Sequence, residues 1–252
     1  MSDSFVRSLS VRIRDTEIGR GCPIFLEGTE TLSLRPGYFL LRVESLPDTS
    51  LSLLTENSPA EVFSDSSLLL SGEIRAACTA IRQSRKVTEI SVTTGQALWS
   101  AFVSLSLASG LSVKETANQI LSASGLPPLI SFSGRNLAFS RPQAFFGRAA
   151  DALLSLAETA EAEVFRTPAG LVMAGLASGS PSLFLDEKDL PSAPTHVNGE
   201  TVLRTSMTGW PSGSRISWRW KDSEGQGRIL SRFLSANNVS GSWKQELLIA
   251  NQ

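Results

Sequence analysis

The stretch GLSVKETANQILSASG, residues Gly110–Gly125, carries helix signals at both ends. Ser112 followed by Glu115 has the spacing of a capping box, in which each side chain can take up the other residue's free backbone N–H. Val113, Ala117, Ile120 and Leu121 fall on one stripe at helical period. Gly125 suits the left-handed position past the last turn, and Pro127–Pro128 cannot extend a helix. The spacing predicts a helix near 112–123. Its surroundings make it decisive, because the preceding hundred or so residues read mostly as strand.

Upstream, SLSVRIRD places Leu9, Val11 and Ile13 on one face and Ser10, Arg12 and Arg14 on the other, the period of a half-buried strand. YFLLRVESL repeats it with Phe39, Leu41 and Val43, and Pro47–Ser50 breaks the run. SLLLSGEIRAACTAI and KVTEISVTTGQALW are two further strands joined by the polar loop Arg82–Lys86. Downstream, RNLAFSRP suggests a short strand. A second helix is expected near 143–160, with Phe146, Ala149, Ala150, Leu153, Leu154 and Ala157 as its stripe. AEVFRTPAGLVMAG reads as a hairpin turning at TPAG.

A Ser-, Pro- and Gly-rich segment over 177–199 reads as a linker, after which alternation returns in TVLRTSMT, SRISWRWKD, GRILSRFLSANNVSG and SWKQELLIANQ. The layout is therefore β, then α/β, then β: mainly β with an α+β insertion. No repeat of fixed period is present.

Composition narrows the function. The 252 residues are 41% hydrophobic and 19% charged with a net charge of −1, so nothing draws the chain as a whole toward nucleic acid or anionic lipid. A near-neutral surface also tolerates self-association. Cys22 and Cys78 lie far apart in sequence and read as two buried thiols rather than a disulfide or metal pair. The N-terminal MSDSFVRSLS has no apolar core of a signal peptide, and no window approaches about 18 consecutive apolar residues. The expectation is a protein made in the cytoplasm, with no membrane anchor.

Catalysis needs convergent polar groups, and the candidates are few. His196 is the only histidine and cannot anchor a multi-histidine metal site. GxSxG, GxxxxGK[ST] and GxGxxG are all absent. Glu158, Glu161 and Glu163 could serve as a glycan-cleaving carboxylate pair, but their alternation with alanine at a helix end reads better as a solvated face. Asp186–Asp189 (DEKD) has calcium-ligand residue types without the spacing or glycine of an EF-hand. SWRWK interleaves aromatics with cations, as single-strand binders do. Here Trp218 and Trp220 share a face with Ile216, which reads as core or interface. Arg204, Arg215, Arg219, Arg228 and Arg232 concentrate in the last block. No catalytic, cofactor-binding or metal residue is assigned, and the chain is expected to be structural rather than enzymatic.

Three stretches together give a resemblance. LLLSGEIRAACTAIRQSRKVTEISVTTGQALWSAFVSLSLASGLSVKETANQILSASG (Leu68–Gly125) resembles the strand, hairpin and short helix of the tailed-bacteriophage baseplate or tail hub proteins. These are the late-control-D-like proteins, related to the base of type VI secretion spike proteins. FFGRAADALLSLAETAEAEVFRTPAGLVMAG (Phe145–Gly175) is similar to their helix-plus-hairpin. ETVLRTSMTGWPSGSRISWRW (Glu200–Trp220) with SWKQELLIANQ (Ser242–Gln252) is similar to their closing barrel. The chain is shorter than many hub proteins.

The resemblance implies two tail-tube-like antiparallel β-barrels, over 1–108 and 183–252, flanking a small α/β domain over 109–182. It implies a homotrimer forming a pseudo-sixfold ring that joins the hexameric tail tube to a threefold spike or tail tip. The partners implied are tail tube, spike or tail-tip and tape-measure proteins, in a virion tail assembled in the bacterial cytoplasm. A tailocin or secretion-system spike base, or a tube initiator, is the alternative.

Overall fold

The structure, a computed structural model, describes residues 8–251 apart from 33, 176–182, 207–209, 211 and 241. Strand exceeds helix by 55% to 13%, so the class is mainly β, as the alternation implied.

The first block contains β1 (Leu9–Ile13), β2 (Thr16–Ile18), β3 (Ile24–Thr31), β4 (Gly37–Glu44), a single helical turn α1 (Asp48–Leu51), β5 (Pro59–Ser64), β6 (Ser67–Arg82) and β7 (Arg85–Thr94). The expected inward positions are buried: Leu9, Val11 and Ile13 in β1, and Phe39, Leu41 and Val43 in β4. β6 and β7 meet across Gln83 and Ser84, whose φ values of 48° and 62° match the tight turn that suits strand twist. The strand expected to run through QALW instead stops at Thr94. Gly95 turns with φ 69°, and α2 (Gln96–Ser100) follows.

The middle block holds β8 (Phe102–Leu107), α3 (Val113–Ala123), β9 (Ser131–Phe132), β10 (Gln143–Arg148), α4 (Ala149–Thr159), β11 (Ala162–Thr167) and β12 (Gly170–Gly175). α3 starts where the capping box put it. Ser112 Oγ accepts from Glu115 N at 3.3 Å, and Glu115 Oε2 accepts from Ser112 N at 2.8 Å. Its end is a Schellman motif: Leu126 N donates to Leu121 O and Gly125 N to Ser122 O, with Gly125 at φ 68°.

Two expectations here need correction. The helix predicted from residue 143 begins at Ala149, because Gln143–Arg148 pair with β8 as a strand. Phe146, assigned to the helical stripe, is 84% exposed on that strand. RNLAFSRP forms no strand. Leu137 O and Phe139 N instead hydrogen-bond to Val113 N and Leu111 O, bracing the start of α3.

The last block holds β13 (Leu183–Leu185), β14 (Thr195–Val197), β15 (Glu200–Thr205), β16 (Arg215–Trp220), β17 (Ser223–Asn237) and β18 (Trp243–Asn251). The segment read as a linker is therefore partly sheet: β13 runs parallel to β16, and β14 forms a hairpin with β15. Its opening part, like Met207 and Thr208 of the strand read as TVLRTSMT, lies outside the described residues.

Thirteen strands form one continuous sheet, in the order β14-β15-β18-β17-β3-β4-β7-β6-β5-β1-β2, with β13 and β16 branching from β17. The path is open at both ends, so among the described residues no barrel closes within one chain. Long strands join the first and last blocks. β17 pairs with β16 through Ser223–Arg228 and with β3 through Ser231–Asn237. At the changeover a bulge at Leu230 shifts the ladder against β18 by one residue. The inward positions move from Ile229 to Arg232, Leu234 and Ala236, as an inserted residue requires. Leu230 O meanwhile accepts from Leu32 N at 2.7 Å, tying the end of β3 to the bulge. Consequently Ile229, Leu247 and Ile249 pack in one core, while Leu234, Ala236 and Trp243 of the same two strands pack in the core of the first block. A third core, between α3, α4 and the β11–β12 hairpin, belongs to the middle block.

Candidate functional site

Three features stand out: the place where the three cores meet, the far end of the β6–β7 hairpin, and an exposed aromatic pair.

The meeting place is built on buried charge. Arg232, on the inward face of β17 just past the bulge, is 2% exposed, and Glu30 near the end of β3 is 7% exposed. Arg232 Nε and Nη2 lie 3.0 and 2.9 Å from Glu30 Oε2, and Nη2 also donates to Leu69 O at 3.1 Å. Thr94 Oγ1 adds a weaker hydrogen bond to Glu30 Oε1. One guanidinium thus ties β17 to β3 and β6, the strands of two sequence-distant blocks.

β11 docks the middle block onto this sheet. Glu163 pairs with buried Arg228 of β17. Phe165 lies against Gly213, where a Cβ would come within 2.4 Å of its ring; with φ at 91°, glycine is required there twice over. Arg166 donates from Nη2 to Arg35 O at 2.6 Å and covers Gly95 so closely that a Cβ there would sit 1.9 Å from Nη1. Burial lowers the Arg166 guanidinium's hold on its proton; Glu30 opposes this and Arg232 adds to it. A cleft of about 210 Å³ opens here, lined by Glu30, Arg232, Arg166, Thr94 and apolar side chains.

These placements dispose of several sequence candidates. Glu163 and Glu161 are structural anions, on Arg228 and Arg135 respectively, and Glu158 is an exposed helix residue, so the three do not converge. Arg228 and Arg232 are buried in ion pairs, whereas Arg204 and Arg219 are exposed partners of Glu246 and Glu224. The arginines of the last block therefore do not share one surface. His196 is exposed in β14, with Nδ1 2.9 Å from Thr201 Oγ1. Asp186 is held below the ordinary carboxylate range by hydrogen bonds from Lys188, and Asp189 accepts from the Asp186 N–H. Trp218 is buried, as the alternation of SWRWK implied. The cysteines depart from expectation: Cys22 is only half-buried, and Cys78 is exposed on β6. Sequence reading missed the Arg232–Glu30 pair because 202 positions separate the partners. Glu30 is one of two glutamates in β3 (IFLEGTET), so the strand's own sequence does not mark it out from exposed Glu27.

The second feature is an unprotected strand edge. β5 pairs with β6 only as far as Glu73, and β7 covers the other side through Arg82. From Ala76 to Arg82 the outer edge of β6 has no neighbour among the described residues, and all seven residues are exposed, Ile81 at 81%. The third feature is Phe102 on β8 and Phe146 on β10, packed edge-to-face at 4.9 Å and exposed.

This arrangement, a shared-strand β framework carrying a docked α/β block, is the fold of phage tail proteins and of a type VI secretion component, in agreement with the sequence resemblance. The tail protein from Neisseria meningitidis MC58 superposes with a TM-score of 0.72 at 12% identity, covering 98% of this chain and 96% of that one. The 43 kDa tail protein of prophage MuSo2 from Shewanella oneidensis gives 0.71 at 8% identity, over 96% and 97%. The E. coli c3393 protein, described as a component of the type VI secretion system similar to bacteriophage T4 tail proteins, gives 0.62 at 13% identity over 96% of this chain and 76% of that one. No protein-family model matches the chain, and no curated protein matches it by sequence.

Proposed function

We propose that this chain is a structural, non-enzymatic subunit of a phage tail: a hub of which three copies close into a pseudo-sixfold ring between the hexameric tail tube and a threefold spike or tip. The observation that carries the reading is the free edge of β6. Seven exposed residues, AACTAIR, present unpaired backbone groups with no proline, and no charge before Arg82. Isolated soluble chains blunt such edges, and a subunit of a closed ring pairs them with its neighbour. The exposed Phe102–Phe146 pair fits a second contact. The open sheet supports two barrel-like halves, formed by the first and last blocks around the middle one, whose missing sides are supplied by adjacent subunits. Tail tube, spike or tip and tape-measure proteins are the partners in this reading, and the virion tail is its location.

A spike base of a secretion system or tailocin is the second reading. It is favoured by the likeness to a structure solved as a Francisella PdpA–VgrG complex, with a TM-score of 0.56 over 97% of this chain.

Absolute mass in solution tests the ring. Three times 27.0 kDa for the chain alone, or that mass plus the bound tube protein after mixing, is the expected result. A stable dimer would overturn it, since twofold symmetry has no place in this ring.

A further inference from the structure

We propose that the cleft beside Arg166 is a carboxylate-binding site, shaped for an apolar-flanked carboxylate of the kind a partner protein presents as a glutamate or aspartate side chain or as a chain terminus. This does not depend on the ring.

The cleft is unbalanced in charge: two guanidiniums, Arg166 and Arg232, face one carboxylate, Glu30. Arg232 spends its donors on Glu30 and Leu69 O, and Glu30 is taken up by Arg232 and Thr94. Arg166 keeps one positive charge without an anion. Its Nη2 is held by Arg35 O, a neutral acceptor; among the described residues its Nε, sealed from the cleft, and its Nη1, which is not sealed, have no hydrogen-bond partner. Buried donors such as this Nε are normally paired, and a half-buried cation gains from an anion beside it. The Nη1–Nη2 end of a guanidinium offers two parallel N–H groups, the geometry that matches a carboxylate, and Nη2 has a second hydrogen beyond the one given to Arg35 O.

The walls decide which anion. Leu98, Leu126, Pro127 and Pro168 line the cleft, which at about 210 Å³ is several times the ~30 Å³ share of one water. The hydroxyl of Thr94 is already within reach of Glu30 and Gly37 N. An inorganic oxyanion would leave most of its acceptors against these apolar walls. A carboxylate needs few donors, and its hydrocarbon flank gains from the same surface.

The test is the unfolding temperature of the full chain in isovalerate, phosphate and chloride at fixed pH and ionic strength. Isovalerate should raise Tm saturably, by about 3–5 °C at ten times its midpoint concentration, with phosphate no better than chloride. Arg166→Gln should abolish the rise. Ala97→Trp, from exposed Ala97 on α2, puts bulk into the cleft while leaving the Arg166 charge in place, and should abolish the rise too. It decides the matter if Arg166→Gln does not fold. No isovalerate-specific rise, or a rise that survives in Ala97→Trp, overturns the site. An equal, Arg166-dependent rise in phosphate overturns the carboxylate assignment in favour of an inorganic oxyanion.

Discussion

Replacing Arg232 by methionine tests whether the charged pair between β17 and β3 holds the two blocks together. The substitution keeps most of the hydrocarbon stem and deletes the guanidinium. Glu30 then loses contacts of 2.9 and 3.0 Å while remaining 7% exposed, with Thr94 as its remaining near hydrogen-bond donor and Arg166 as the remaining cation of the cleft. Leu69 O loses its 3.1 Å donor as well. Stranding one member of a buried pair costs about 3–5 kcal/mol, and Arg166, which acts on Glu30 across the same cleft, puts the expected loss at the lower end of that range. Removing both charges with Glu30→Leu and Arg232→Met leaves Leu69 O unmet, a cost of about 1–3 kcal/mol, and keeps the net charge of the cleft, carried by Arg166, unchanged. The double variant should therefore be more stable than Arg232→Met alone, although it carries one more substitution. Urea unfolding of the two single variants, the double variant and the parent measures this directly. Simple addition of the single losses, or a loss below about 1 kcal/mol for Arg232→Met, would refute the argument that an unpaired buried charge dominates at this seam.

Four further outcomes are expected. Gly213→Ala should cost about 2–4 kcal/mol, from positive-φ strain plus displacement of the Phe165 ring; chemical denaturation reads the loss, and Phe165→Leu in that background should recover part of it. Ser112→Ala should cost about 1 kcal/mol by the same measurement. Glu115, held below the ordinary 4.5 by hydrogen bonds from the Ser112 side chain and backbone, has a folded pKa under its unfolded one. Its contribution is thus complete above about 4.5 and lost as pH falls through the folded value. A carboxyl NMR titration should show a midpoint below 4.5 that Ser112→Ala moves back up, and a midpoint at or above 4.5 would contradict the capping box. Ala77→Lys with Ile81→Lys, on the exposed edge of β6, should change unfolding by no more than about 0.5 kcal/mol each. The same pair should abolish any trimer seen by light scattering; a trimer that persists would move the subunit contact elsewhere.

Local signals were legible wherever the cause of structure lay within a few residues. The capping box and Schellman end of α3, the alternation of β1 and β4, the Gln83–Ser84 hairpin and the burial of Trp218 all follow from side-chain period and turn chemistry acting on neighbours. Phe146 shows the limit. Its position in a run of helix formers reads as helix, but pairing with β8 across some forty residues outweighed propensity and turned it outward. The β–α/β–β order could be read by itself, whereas the continuous sheet could not. Sharing β17 and β18 between two cores depends on the Leu230 bulge, and a bulge is set by which strand lies alongside. Likewise Glu163, Arg228 and Arg232 carry the same formal charges in any sequence reading. Only the tertiary structure decided that the two arginines are buried and that all three join blocks, because the energy of a buried charge depends on what stands within about 3 Å of it, and for Arg232 that neighbour is Glu30, 202 positions away.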